Sequence, residues 1–409
     1  MVSYLSRIFG LGRLDLAEDV VQDTLCRALE VWPIQGLPDN PSAWLMRVAR
    51  NRAIDMVRRD AHLRYFAPEL VQLLTAGEGE LAQAPPLQKQ IAFEREIKDD
   101  ELRMVFSLCH SELSTEAQVT LILKTLGGFS VSEIAHALLI SEDAVEKRLG
   151  RARKIFRHSG GFEELTDASA IGTRLEAVYQ AIYLLFSEGY HGSGREGTLR
   201  KDLCFEAIRL ALLLSEHPIA NTPKTYALLA LLCFHAARLG GRADDDGLVQ
   251  LELQDRSKWD PDLMSRGFCF LERSSSGEEL SDYHLEAAIA ALHCSAATYE
   301  NTDWAKILEL YDLLVRLKPT PIVALNRAVA LGKIMGPEKA LTELGAIPDA
   351  PKLKQYPFYP AAYGEFHLLA GRPAEAAKYF EEAVKLARNG HEASFFERKL
   401  KACGIDVGS

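Results

Sequence analysis

The chain has 409 residues, 48% of them hydrophobic, and a formal net charge of −10. That is enough apolar material for two or three buried cores, which excludes a disordered chain. No run of eighteen apolar residues occurs, the N-terminus lacks a signal-peptide core, and seven cysteines lie scattered at 26, 109, 204, 233, 269, 294 and 403 without paired spacing. These features argue against a membrane protein, a disulfide scaffold or a zinc module, and lead to the expectation of a soluble cytoplasmic protein with no cofactor, metal or membrane partner.

The charge is unevenly divided. Residues 161–409 carry 27 basic and 35 acidic side chains, whereas 1–66 carry 9 and 8 and 96–160 carry 9 and 10. Local stripes therefore decide what phosphate would meet within a Debye length.

Residues 14–32, LDLAEDVVQDTLCRALEVW, read as an amphipathic helix with Leu16, Val20, Val21, Leu25 and Leu29 inward, and with Glu18, Asp19, Gln22 and Asp23 as an acidic outer surface. The following PIQGLPDNPSAW holds three prolines and a glycine and is expected to form a loop that no helix crosses. SAWLMRVARNRAIDMVRRD reads as a basic helix with Trp44, Leu45, Val48, Ile54 and Val57 inward and Arg47, Arg50, Asn51, Arg52, Arg58 and Arg59 outside. Trp44 fits a core position better than a base-stacking one. Residues 67–95 are polar, bear prolines and read as a linker.

From Glu112 to Phe156 the pattern is that of a helix-turn-helix. Val119, Leu121, Ile122 and Leu123 mark one buried face, and Ile134, Ala135, Leu138 and Leu139 the next. Ser130 with Glu133 makes a capping box, and Ser141 caps a last helix whose first turn holds Glu142 and Asp143. Six basic residues and no acid lie between Lys147 and Arg157, a stripe suited to a phosphate backbone. Cys109 and His110 are adjacent, an arrangement that points the two side chains about 100° apart and disfavours a shared metal.

LAEDVVQDTLCRALEVW, NPSAWLMRVARNRAIDMVRR and the helix-turn-helix ending EKRLGRARKIF together resemble the extracytoplasmic-function sigma factors of the sigma-70 family. The resemblance covers about residues 1–158. It implies an all-α chain with sigma region 2 in 1–66, a linker in 67–95 that threads polymerase near the RNA exit path, and a region 4 helix-turn-helix in 96–158. It implies that Asp15, Glu18, Asp19, Gln22 and Asp23 dock on the clamp helices of the polymerase largest subunit, with region 4 near the flap. Asp39, Asn40 and Ser42 would hold a flipped −10 base, and Arg47, Arg50, Asn51, Arg52 and Arg58 would face the melted strand. At the −35 element, Ser141, Glu142, Ala144, Val145, Lys147 and Arg148 match the base-reading positions, and Arg151, Arg153 and Lys154 the backbone-contacting ones. Glu146 stands where many relatives carry lysine, and the first helix, Val2 to Phe9, is short for the family.

Residues 170–409 exceed a minimal sigma factor and read as helical almost throughout. A helical extension over 170–285 precedes a segment, 286–409, that resembles tetratricopeptide repeats: Gly364, Ala376, Phe380 and Ala383 fall at close-packing positions, and Gly336 and Gly371 lie 35 apart. Such repeats imply a protein or peptide partner. The whole order resembles the subgroup of these sigma factors whose large C-terminal extension regulates activity in cis. Glu188, Tyr190, His191, Arg200, Asp202, Asp255, Arg256, Ser257, Trp259 and Asp260 form a polar set that reads as caps and interhelical salt bridges before it reads as a ligand pocket. No nucleophile, base and orienter are spaced for catalysis, so no enzymatic activity is expected. Two other readings stay open: a polymerase-independent, ligand-responsive helix-turn-helix regulator, and a sigma-mimicking decoy.

Overall fold

The computed structural model describes residues 1–9, 13–38, 40–59, 104–110, 112–125, 127–138, 140–159, 168–191, 199–244 and 247–404. The linker, the Asp39 position and the Leu139 position lie outside the described residues. Two compact units divide the chain, Met1–Ala181 and Ile182–Ser409.

The first unit opens with α1 (Val2–Phe9), α2 (Leu14–Gln35) and α3 (Pro41–Arg59). Tyr4, Leu5 and Phe9 pack with Ala17, Val20, Met46, Ala49 and Ala53 in one core. The buried stripe of α2 is Leu14, Ala17, Val20, Thr24 and Ala28, at helical spacing. Leu25 and Leu29, expected inward, are 45% and 75% exposed. Small residues at 17, 24 and 28 let the helices approach closely, and the Thr24 hydroxyl is satisfied by donating to the Val20 carbonyl at 2.7 Å. The helix also crosses Pro33, against expectation, and ends at Gly36, whose backbone N–H donates to the Trp32 carbonyl at 2.9 Å. Two residues from the helix end, Pro33 removes only its own bond to a carbonyl one turn back. Pro41 then opens α3 in the first-turn position where proline is tolerated.

Residues 104–108 form a helical turn before α4 (Thr115–Thr125), α5 (Val131–Leu138) and α6 (Glu142–Ser159). Phe106, Val119, Leu121, Leu123, Phe129, Ile134, Val145, Leu149, Ala152 and Phe156 are buried there. Cys109 is also buried, which pushes its thiol up to about 12, and the His110 ring sets its edge against Phe156. Both act as core residues. α7 (Ala168–His191) follows, and within the first unit its Arg174 donates to the Phe106 carbonyl at 3.2 Å.

In the second unit the remaining described elements are α8 (Lys201–Glu216), α9 (Pro223–Ala237), a two-residue antiparallel pair of β1 (Ala243–Asp244) with β2 (Gly247–Leu248), α10 (Pro261–Ser274), α11 (Asp282–Ser295), α12 (Trp304–Leu317), α13 (Pro321–Met335), α14 (Pro337–Gly345), α15 (Phe358–Leu369), α16 (Pro373–Leu386) and α17 (Gly390–Ala402). The described residues are otherwise helical, with short 3-10 turns at Arg238–Gly240, Leu251–Leu253, Arg256–Lys258 and Ala350–Leu353. α9 is apolar nearly all round and packs against α8, α10 and α11 as a central helix. From α12 onward each helix packs on the next in the chain. The starts are set locally: Thr222, Asp260 and Thr320 each cap a helix that has proline in its first turn. Gly336 and Gly371, at φ +85° and +73°, supply the left-handed residues that end α13 and follow α15. Gly364 faces the Phe380 ring at distances a Cβ would not tolerate, and Phe380 shares a core with Ala376, Ala383, Phe396 and Leu400.

The polar set of residues 188–260 works mostly as joints. Asp255 and Asp260 accept backbone N–H bonds from Ser257 and Asp262, and Arg256 donates to the His293 and Ala296 carbonyls at the end of α11.

Candidate polymerase and promoter surfaces

The acidic positions of α2 lie on one face. Asp15, Asp19, Gln22 and Asp23 are exposed and Glu18 is half-buried. One and two turns further, the same face turns apolar with Leu25 and Leu29; Ile34 near the helix end and Leu37 beyond it are also exposed, at 85% and 73%. Sequence reasoning missed this ridge because it placed the leucines in the core. The signal available was the alternative stripe of Ala17, Thr24 and Ala28, which is equally periodic but less hydrophobic.

On α3, Arg47 and Asn51 stand one turn apart and exposed, with Trp44 on the same side. Trp44 is half-buried, its ring edge-on to Trp32 at 5.5 Å, so it belongs to the rim rather than the core. The inward residues are Met46, Ala49 and Ala53. Leu45, Val48 and Ile54 are only partly buried, and Val57 and Arg58 have side chains outside the described residues. Arg50 is half-buried, its guanidinium over the Tyr4 ring at 5.8 Å. Arg52 forms a paired contact with Asp23, 2.7 and 3.0 Å from one carboxylate oxygen. A position expected to meet polymerase and one expected to meet DNA thus join α2 to α3. Both are about half exposed, so the bridge exchanges at little cost. A cleft of about 440 Å³ beside it is lined by Asp23, Arg27, Asn51 and Arg52. Asn40 caps α3 by accepting from the Ala43 N–H at 2.9 Å, and Ser42 is exposed beside it.

In the helix-turn-helix the expected capping box is reciprocal: the Ser130 N–H donates to the Glu133 carboxylate at 2.7 Å and the Glu133 N–H to the Ser130 hydroxyl at 3.2 Å. Ser141 caps α6 by accepting from the Ala144 N–H at 3.3 Å. Lys147, Arg151 and Lys154 recur at near one-turn spacing on the exposed face opposite Val145, Leu149, Ala152 and Phe156. Val145 had been expected at a base edge. It is fully buried, because its position shares the inward stripe with Leu149 and Ala152, so its side chain holds the helix and reads nothing. Glu142 is exposed and Ala144 half-buried.

Arg148 and Arg153 flank the outward face. Arg148 acts on Glu116, whose carboxyl is held below the usual range first by the Ser114 hydroxyl and its own backbone, with this guanidinium a smaller contribution. Arg153 and Lys124 act on Glu18 of α2, whose carboxyl is raised above the usual range by burial, which outweighs both cations. Within the first unit, the acidic helix and one flank of the basic helix therefore share a field.

A capped helix-turn-helix with its cations outward, preceded by a three-helix domain carrying an acidic and apolar face, defines a DNA-binding protein that also offers a protein-docking surface. Residues 1–62 match the family model described as sigma-70 region 2, residues 103–155 that of sigma-70, region 4, and residues 174–275 a family of unknown function (DUF6596). The chain is 39% identical over 390 residues to the uncharacterized protein R00370 of Rhizobium meliloti, covering 95% of this chain and 90% of the other. It is 34% identical over 151 residues to the RNA polymerase sigma factor CnrH of Cupriavidus metallidurans, covering 36% and 74% respectively. Against the ECF RNA polymerase sigma factor SigL of Mycobacterium tuberculosis it is 34% identical over 142 residues, covering 34% and 72%. The chain belongs to the sigma-70 family of RNA polymerase sigma factors, in its extracytoplasmic-function class, with a large helical extension after regions 2 and 4. The family consists of non-catalytic initiation factors, and membership implies core RNA polymerase and promoter DNA as partners. No described helix is long and apolar enough to cross a membrane.

Proposed function

We propose that the chain directs RNA polymerase to specific promoters through three surfaces and that residues 170–409 regulate this in cis. α2 docks on polymerase through Asp15, Asp19, Gln22 and the apolar ridge of Leu25 and Leu29. Arg47 and Asn51 of α3 face the melted −10 strand, with the Trp32 and Trp44 pair at the rim. α6 enters the major groove at the −35 element with Lys147 and Arg151 outward, while Ser141 and Glu142 stand at its entry. The observation that carries this reading is the one-sided distribution of charge on α6, cations outward against a fully apolar inward stripe. Support for regulation in cis is its size and its acidic balance, opposite in sign to α6. The repeat-like helices from α12 onward offer surfaces for a protein or peptide partner.

Co-elution of the full chain with core polymerase, followed by footprinting of the complex on the chain's own upstream DNA, tests the reading. Protection of two elements by the complex, and none by the protein alone, is expected. Specific duplex binding without polymerase would establish the ligand-responsive regulator instead, and polymerase or regulator binding without any DNA contact would establish the decoy.

A further inference from the structure

The second unit contains a cavity of about 420 Å³, within the range of small-molecule sites. One wall comes from the segment around Arg238, Arg242 and Gln254, and the other from α13 and the start of α15 with Val329, Tyr356 and Phe358. Its four cations are not equivalent. Lys399 is matched by Glu365 at 2.8 Å and Lys333 by Glu252 at 3.7 Å. Arg238 and Arg242 have no carboxylate partner among the described residues.

Arg238 is only 8% exposed. Its guanidinium reaches the Gln254 side-chain oxygen at 3.4 and 3.5 Å, the far end of hydrogen-bonding range, and lies over the Trp259 ring at 5.4 Å. Arg242 donates to the Tyr190 carbonyl at 3.0 Å and lies over the Tyr190 ring at 3.8 Å. These neutral partners orient the two guanidiniums without cancelling their charge. Burying an uncompensated cation is costly, and here the buried Arg238 stands at one cavity with the half-buried Arg242. The surrounding groups register that field: burial, with Arg238 next in weight, pushes the His235 and His293 imidazoles down to about 3. Nearby, the Tyr190 hydroxyl and the Trp259 indole N–H are buried without a hydrogen-bond partner among the described residues.

We propose that this cavity binds a small organic anion, with an oxyanion head held by Arg238 and Arg242 and an apolar body lodged against Val329, Tyr356 and Phe358. The head would complete the charge balance that the protein leaves open, and the aromatic wall fits a flat or branched body. This goes beyond promoter recognition and is read on the full chain without polymerase or DNA.

The probe pair is 8-anilinonaphthalene-1-sulfonate and its uncharged analogue N-phenyl-1-naphthylamine, titrated by fluorescence at low salt. The sulfonate is expected to bind one site about tenfold more tightly than the neutral dye. Arg242→Gln should erase that preference and leave the neutral dye bound as before, while Arg242→Lys keeps most of it. Val329→Trp, which fills the cavity from the apolar side, should abolish binding of both dyes. Equal affinity for the two dyes in the unaltered protein overturns the proposal, as does an unchanged preference in a folded Arg242→Gln. Should that variant not fold, undiminished sulfonate binding by Val329→Trp overturns it alone.

Discussion

His235 and His293 are held neutral in the second unit, pushed from 6.5 down to about 3 by burial first and by the neighbouring arginines second. In the unfolded chain each takes up a proton below about 6.5, so protonation favours the unfolded state and stability rises with pH across that window. Each histidine contributes a slope of up to about 1.4 kcal/mol per pH unit between about 3 and 6.5. Denaturant unfolding of the second unit at pH 7 and pH 4.5 should show the loss, and His293→Asn should flatten it. A profile unaffected by that substitution contradicts the assignment. A second residue-scale test concerns Gly332, where a Cβ would meet the Phe366 ring and come within 2.8 Å of the Ala340 methyl. Gly332→Ala should destabilise the second unit by roughly 1–3 kcal/mol, read by thermal unfolding. An unchanged transition would show that the α13–α15 approach has slack.

At the scale of elements, α6 carries the readable chemistry. Arg151→Ala should weaken promoter binding by the polymerase complex about uniformly across sequences and lower the salt slope by roughly one. A change in base preference at one position would instead assign Arg151 to a base edge. α2 makes the complementary case: Leu29→Glu should leave the fold intact, since Leu29 is 75% exposed, and reduce co-elution with core polymerase. Much of the helix-turn-helix was legible beforehand, because Ser130 and Glu133 at the start of α5 and Ser141 at the start of α6 have a short-range chemistry that fixes where helices begin. α2 was less legible. Two stripes, one of leucines and one of small residues, share its periodicity, and only the partner helix decides which is buried. Val145 failed for a related reason: a position matched by motif text was read as a contact, although its own helical phase with Leu149 and Ala152 places it inward. The pairing of Arg238 with an amide rather than a carboxylate left no trace in the sequence, since Gln254 and the acids near it differ only in where the turns put them.

For the whole molecule, the two units carry different kinds of information. The first holds surfaces that match regions 2 and 4 of sigma factors, and the second holds stacked helices around an arginine-lined cavity. Run-off transcription from the chain's own upstream DNA, with core polymerase and the full chain, measures the central claim most directly. Transcripts starting at one fixed position are expected, reduced at least tenfold by the Lys147/Arg151 double alanine variant at moderate salt. No transcript from any cognate template, or an output indifferent to those two substitutions, would contradict the assignment of α6 to promoter recognition.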